Sequence, residues 1–359
     1  MLKTKVAIIG CGAIGNTHAD AYRQDPRVEL AYAVDLIPER AQGFIEKYGA
    51  VKAATDAREA FNDPSIAAVN ICLPNHLHAP MTIAALQAGK HVLCEKPIAL
   101  SLEEAIAMQS EAKKQQKTLV IGVVNRYNSY VNLVKEQIAA GELGEVYHAS
   151  FSFKSFRSIP GLGGWFTRKA HSGGGVMIDW GIHFLDLALY VLGLPQPVSV
   201  SGIAHSKLAR DMKAYAFLGM WAGPPQYDGV YDVEEYVSGI VRTKGPTIAF
   251  EGAWAQNIDK PAMYLDFLGT RAGLRLEYGK GFTMYGSENG VLFEKTPHIQ
   301  EPNFFHAEMR AFIDSVIDGT PNRAHIDNVM ISQQIIDAIY RSAAEQREIM
   351  LVTAGDGVR

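Results

Sequence analysis

The segment Gly173 to Asp186, GGGVMIDWGIHFLD, collects the residues best suited to acid–base chemistry. Three successive glycines let the backbone turn sharply or approach a ligand closely, and an apolar run with three ionisable groups follows. If that run is helical, Asp179, His183 and Asp186 stand at i, i+4 and i+7 on one stripe. Beside it, Ile178, Ile182, Leu185, Leu189 and Leu192 form an apolar stripe that must face a core. An imidazole is the group whose ordinary pKa lies nearest neutrality, and a carboxylate one turn away can set its tautomer and steady its charged form. Read structurally, the same residues give a helix cap at 179, a satisfied core histidine at 183 and a solvated carboxylate at 186. Other segments have to decide.

A second ionisable centre lies far upstream in CEKP, Cys94 to Pro97. Lys96 precedes a proline and is disfavoured in the α conformation, which leaves its ammonium on an extended bend. An ammonium so placed can hydrogen-bond a carbinol or carbonyl oxygen. Glu95 would orient that bend or contact a cofactor ribose. Taken alone, EKP is equally an ordinary turn with a solvated lysine.

The elements that would hold a cofactor there fill the first third of the chain. Val6 to Ile9 reads as a short buried strand, and Gly10, Gly12 and Gly15 complete G-x-G-x-x-G before a helix through Tyr22. The glycines permit a tight turn and close approach of a pyrophosphate, whose charge meets the helix amino terminus; Ala13 and Ile14 lie in the same turn. Leu30 to Val34 is a second apolar run ending at Asp35, placed to reach the adenosine ribose and to repel a 2′-phosphate. NAD is therefore expected over NADP, with Arg40 nearby to soften the discrimination. Strand-like runs recur at Ala68 to Leu73, His91 to Cys94 and Leu119 to Val124. Helical stretches lie between them, including Ser101 to Gln116 with Ser101 and Glu104 as a capping box. This alternation predicts a doubly wound parallel sheet, with ligands beyond the strand carboxyl ends. That rim brings together LPNHLH, CEKP and VNRY. It places Leu73, Asn75, His78, Glu95, Lys96 and Asn125 at the cofactor, with Arg126 and Tyr127 toward a substrate. For Asn75 and His78 a loop-anchoring role is an equal reading.

Composition narrows the partners. At 359 residues, with 48% hydrophobic, the chain predicts two domains, which we place at 1–124 and 125–359. A formal charge of −4 and the lack of a long basic run argue against nucleic acid and anionic membranes as partners. No run reads as the roughly 20 apolar residues of a membrane span, and the amino terminus has no signal-type segment. Cys11, Cys72 and Cys94 lie in or beside strand-like segments without a C-x-x-C, which reads as reduced core thiols and a cytoplasmic setting. No metal-ligand spacing is present.

The motifs GCGAIGNTH, LPNHLHAP, CEKPIAL, VNRY and GGGVMIDWGIHFLDL, in this order and spacing, resemble the Gfo/Idh/MocA family, the group of glucose-fructose oxidoreductase and inositol dehydrogenase. The resemblance spans essentially the whole chain, with its specific motifs within residues 10–190. It implies a Rossmann domain followed by an α+β domain. The second domain's open, mostly antiparallel sheet would cover the cofactor with one face and form homo-oligomer contacts, dimeric or tetrameric, with the other. It also implies Lys96, Asp179 and His183 as the catalytic group, with Gly10, Gly12, Gly15, Asp35 and Glu95 around NAD.

Beyond Tyr127 the pattern fits such a domain. After a helix through Ile138 and a GELG turn, strands are expected at Val146 to Phe153, Val198 to Ile203, Tyr236 to Arg242, Thr247 to Trp254, Met263 to Leu268, Leu274 to Tyr278 and Phe282 to Tyr285. Lys154, Arg157, Trp165, Arg168 and Lys169 form a loop whose charged donors and aromatic plate suit a polyol; a solvated lid with one buried tryptophan is the bland alternative. The aromatic-rich stretch 204–235 is long enough to be a lid or subunit contact, and could carry Tyr227, Tyr231 or Asp232 to a substrate. Phe304 to Gln346 shows two amphipathic helices. The expected function is NAD-dependent hydride transfer at a secondary alcohol of a sugar, glycoside or cyclitol, and the two loops resemble members that oxidise glucosides at C3. Two other readings are a lyase or glycosidase that oxidises its glycoside transiently, and a non-catalytic sugar or nucleotide sensor.

Overall fold

The computed structural model describes residues 3–300 and 302–351. Two compact units divide the chain, Met1–Asn128 with Glu301–Met330, and Ser129–Gln300 with Ile331–Arg359.

The first unit is a six-stranded, wholly parallel sheet of β1 (Thr4–Ile9), β2 (Val28–Val34), β3 (Lys52–Ala54), β4 (Ala68–Ile71), β5 (His91–Glu95) and β6 (Leu119–Gly122), in the order β3-β2-β1-β4-β5-β6. Its inner strands are buried on both faces, as apolar runs such as Val6–Ile9 require. The crossovers are α1 (Ala13–Tyr22), α2 (Pro38–Tyr48), α3 (Ala57–Asn62), α4 (His78–Gln87) and α5 (Leu102–Gln115). Pro38 opens α2, Ser101 Oγ accepts the Glu104 N–H at the start of α5, and Glu104 reaches back to the Leu100 N–H. Order reverses between β1 and β4, the switch point where open α/β sheets bind ligands.

The second unit holds α6 (Ser129–Ala139) and a nine-stranded sheet. Its strands are β7 (Val146–Lys154), β8 (Pro197–His205), β9 (Tyr236–Thr243), β10 (Thr247–Ala253), β11 (Ala262–Gly269), β12 (Ala272–Glu277), β13 (Phe282–Glu288), β14 (Val291–Lys295) and β15 (Ile349–Met350). Every pair is antiparallel except β10 with β7. α7 (Lys169–Ser172) leads through the GGG segment into α8 (Ile182–Val191), which packs on the sheet through stacked Phe151, Phe153 and Phe184. The stretch Lys169–Val191 is long and apolar enough to cross a membrane by length and composition, contrary to the sequence reading. Its apolar window is 89% buried inside the fold, so its hydrophobicity serves a core.

The units differ from the contiguous division at 124/125. The break after Asn128 is close, but the helix α9 (Phe304–Asp318) returns to the first unit, where Met309, Phe312 and Ile313 join the core around α1. The sequence shows an amphipathic face there without showing which sheet it covers. The last helix, α10 (Ile326–Glu345), begins in the first unit and runs into the second.

Candidate active site

In the first unit, β1 ends in a turn that only glycines can make. Gly10 has φ +102°, and a Cβ there would lie 2.2 Å from the Cys72 carbonyl oxygen; at Gly15 it would lie 2.1 Å from the Gly10 carbonyl oxygen. A Cβ at Gly12, by contrast, meets nothing within 4 Å. Gly12 is also the N-cap of α1 and offers no side-chain cap, so the first N–H groups of that helix are left for an anion. This cradle fits a dinucleotide diphosphate. Asp35 follows β2 with both oxygens fixed, Oδ2 accepting the Cys11 N–H and Oδ1 the Ile37 N–H, each at 2.9 Å. Asp35→Ser is expected to narrow the preference for NAD over NADP by about 10- to 100-fold, because two like charges a few ångströms apart cost several kcal/mol at a protein surface. Cofactor titrations check this; an unchanged ratio would remove Asp35 from the discrimination.

On the rim, Asn75 is buried in a short 3₁₀ turn, Leu73 is half-buried at the β4 exit, and Asn125 lies in the turn after β6. Glu95 is buried at the end of β5. One carboxylate oxygen lies 3.0 Å from His18 Nε2, and the other accepts the Lys96 N–H at 3.1 Å. Burial by itself pushes the Glu95 carboxyl up, but the close His18 contact and then Lys96 outweigh it and hold the group below its ordinary range. Lys96, half-exposed, follows on the bend before Pro97, whose peptide bond is cis.

Three rim residues are committed elsewhere. His78 has Nδ1 2.7 Å from the Pro97 carbonyl and Nε2 2.8 Å from the Leu73 carbonyl, so it ties two loops together and has no ring nitrogen left for a cofactor. Arg126 is fully buried, donating to the carbonyls of Arg323 and Asn328. The Tyr127 hydroxyl donates to Asn322 Oδ1 at 2.7 Å. Both bind the returning segment after α9.

In the second unit, each glycine of GGG has its own reason. Gly173 closes α7 in the left-handed region at φ +84°, a Cβ on Gly174 would strike the Tyr340 hydroxyl, and one on Gly175 would strike the Glu234 carbonyl. Glu234 takes the role of the cap: its carboxylate accepts the N–H groups of Gly175 and Met177 and the Tyr340 hydroxyl. Glu234→Gln turns an amide N–H toward one of those donors. It should cost about 1–3 kcal/mol of stability, read as a lower Tm; an unchanged Tm would remove the cap from the account.

The backbone then forms a π turn, Met177–Gly181, before α8. The regular i, i+4, i+7 helix read from the sequence is thus widened by one turn, a distortion frequent at functional sites. Asp179 is buried there, its Oδ2 accepting the Trp254 Nε1–H at 3.2 Å, while His183 remains half-exposed with its ring 6.4 Å from that of Tyr278. Asp186 is buried, not solvated, and accepts the Ser332 hydroxyl at 3.0 Å.

Of the loop residues, Trp165 is half-buried with its ring 3.8 Å from that of Phe166. The Arg168 Nε is buried without a hydrogen-bond partner among the described residues. Two others are engaged by neighbouring groups. Strand alternation puts Lys154 on the sheet face opposite Phe153 and α8, where it pairs with Glu251 at 2.7 Å. Arg157 donates to the carbonyls of Phe156 and Gln256 and to Asn257 Oδ1, bracing its own loop. Asp232 accepts the Lys169 N–H, and Tyr231 donates to Glu235, so the carboxyl end of the 204–235 stretch is anchored. The sequence does not single out His18, Trp254 and Glu234, since their partners lie 77, 75 and 57 or more positions away; His18 shows only as a polar residue on the inner face of α1.

Residues 4–123 match the family profile "Oxidoreductase family, NAD-binding Rossmann fold", and residues 131–275 match the "GFO/IDH/MocA C-terminal domain". D-glucoside 3-dehydrogenase of Escherichia coli (strain K12) is 33% identical over 342 residues, 94% of this chain and 95% of that protein. Inositol 2-dehydrogenase of Rhizobium meliloti (strain 1021) is 25% identical over 98% of this chain and 100% of that one. The solved structure of levoglucosan dehydrogenase in complex with NADH and levoglucosan aligns with a TM-score of 0.86 over 97% of this chain and 99% of that one; at 22% identity the likeness is one of fold.

Proposed function

The chain belongs to the Gfo/Idh/MocA family of NAD-binding oxidoreductases, and on that premise we propose that it oxidises the C3 hydroxyl of a D-glucoside, with His183 and Lys96 as its acid–base pair. The family places it among the NAD-dependent dehydrogenases of sugars and cyclitols. The choice of substrate within that group rests on the near full-length likeness to D-glucoside 3-dehydrogenase. The residue roles are supported by one observation above the rest: on a single π-distorted helix, Asp179 is buried and bonded to Trp254 while His183 four residues on stays half-exposed.

NAD, when bound, supplies the hydride acceptor. His183 takes the hydroxyl proton as the carbinol carbon gives up its hydride. Asp179, itself oriented by Trp254, sets the imidazole tautomer and stabilises its charged form. Lys96 hydrogen-bonds the reacting oxygen. The unpaired Nε of Arg168 offers a buried donor to a sugar hydroxyl, and Trp165 a plate for the ring's CH face.

Methyl glucosides, free sugars and inositols, each supplied with NAD or NADP while nicotinamide absorbance is followed, test the reading. Reduction of NAD by a methyl glucoside, lost when the 3-hydroxyl is replaced by hydrogen, is the expected result. Aglycone release without net NADH would favour transient oxidation and cleavage. NAD binding without turnover on any member of the panel would favour a sensor.

A further inference from the structure

We propose that His18 is a positioning residue for this reaction: through Nε2–H it holds the Glu95 carboxylate on the backbone N–H of Lys96, and so fixes the bend that presents the ammonium. The proposal rests on the role given to Lys96 above.

The geometry begins on α1, the helix whose amino terminus forms the diphosphate cradle. His18 lies two turns further on and is fully buried. Its Nδ1 is 3.0 Å from the side-chain nitrogen of Asn70 on β4, and Asn70 Oδ1 accepts the Tyr22 hydroxyl at 2.8 Å. With its oxygen engaged by Tyr22, Asn70 turns its NH₂ toward Nδ1, which must then accept. The ring proton is therefore on Nε2, the nitrogen 3.0 Å from Glu95 Oε1. Oε2 of the same carboxylate accepts the Lys96 N–H. From β6, Gly122 leaves the space the carboxylate needs, since a Cβ there would come within 2.8 Å of Oε1. Hydrogen bonds thus join Tyr22 to Asn70, Asn70 to His18 and Glu95 to the Lys96 backbone, the 3.0 Å contact of His18 Nε2 with Glu95 Oε1 links the two sets across α1, β4 and β5, and the tautomer is set at the end remote from Lys96.

The surroundings leave this carboxylate dependent on that chain. Facing it are Cys72 after β4, Cys94 on β5, His78 on α4 and Glu308 on α9, while Glu308 also faces Tyr22 on α1. Burial pushes both thiols, Tyr22 and Glu308 up and His78 down, in each case toward the neutral form. The Glu95 charge is met by His18 Nε2 at 3.0 Å and by Lys96. Without the donor, burial is left to act and the carboxyl pKa rises, so the protonated, loosened state of the bend is reached at higher pH.

Four variants test this: His18→Gln, which keeps an N–H near the Nε2 position; His18→Met and His18→Asn, which present none to Glu95; and Gly122→Ala, which crowds the carboxylate from β6 without touching His18. The readouts are the pH profile of kcat/KM with a methyl glucoside, the pH dependence of NAD binding, and Tm. His18→Met, His18→Asn and Gly122→Ala should move the acid limb upward by about one pH unit or more, with a larger loss in kcat than change in sugar KM, while His18→Gln keeps the wild-type limb. A lower Tm with an unmoved acid limb in every folded variant would reduce His18 to a core residue and overturn the proposal. Lys96→Met tests the underlying role separately: full turnover there sinks the role of Lys96, whereas lost turnover beside an unmoved limb sinks only that of His18.

Discussion

His183→Ala is expected to lower kcat by roughly two to four orders of magnitude, the usual contribution of a positioned acid–base group, while NAD affinity stays within about two-fold. The ring sits half-exposed on α8 directly after the π turn, whereas the glycine turn, the free α1 terminus and Asp35 all belong to the first unit. On the proposed roles, truncation removes the proton acceptor and leaves the glycine turn, the α1 terminus and Asp35 in place. Steady-state rates and a fluorescence titration of NAD separate the two effects. Turnover within ten-fold of wild type would show that another group takes the proton. Asp179→Asn should cost nearly as much without altering the fold. Asn can still accept the Trp254 N–H through its oxygen, but it carries no charge to balance an imidazolium.

The second large effect separates two glycines of one motif. Gly10→Ala places a methyl group 2.2 Å from the Cys72 carbonyl oxygen, at a φ of +102° that side chains avoid. Neither β1 nor the β4 exit can move without disturbing the sheet core, so a loss on the order of 3 kcal/mol or more is expected from overpacking and backbone strain together. Gly12→Ala meets no protein atom within 4 Å and should leave Tm within a degree or two, yet it projects into the cradle, and NAD affinity should fall by more than about ten-fold. Thermal unfolding and NAD titration of both variants check the assignment. If Gly12→Ala binds NAD normally, the diphosphate does not lie against that turn.

Which segments form which elements was largely legible in the chain. The parallel sheet, the glycine turn, the cap at Ser101 and seven strands of the second sheet follow from short-range rules: apolar alternation, residues that stop helices, and steric limits on backbone angles. The strands β3, β14 and β15 leave no such mark in the sequence. β3 and β15 are only three and two residues long, and β14 is mostly exposed, so none carries a buried periodicity to read.

Side-chain assignments fared differently, for a reason that particular residues make plain. Arg126, Tyr127 and His78 sit on the rim where ligand contacts were expected, and Lys154 and Arg157 look like donors for a sugar. Each instead satisfies a group brought near by folding, such as the Arg323 carbonyl, 197 positions from Arg126, or Glu251, 97 from Lys154. A buried guanidinium must be hydrogen-bonded, and sequence spacing carries no record of which distant carbonyl will meet it. The same holds for the gains: Glu95 with His18, Asp179 with Trp254 and the GGG turn with Glu234 are partnerships between segments 57 or more positions apart. The sequence alone therefore determined the cofactor turn, the elements and the types of group available for chemistry, because these depend on neighbours along the chain. Tertiary structure alone decided which of those groups are spent on holding the fold and how the rest are oriented, because hydrogen bonds are filled by proximity in space.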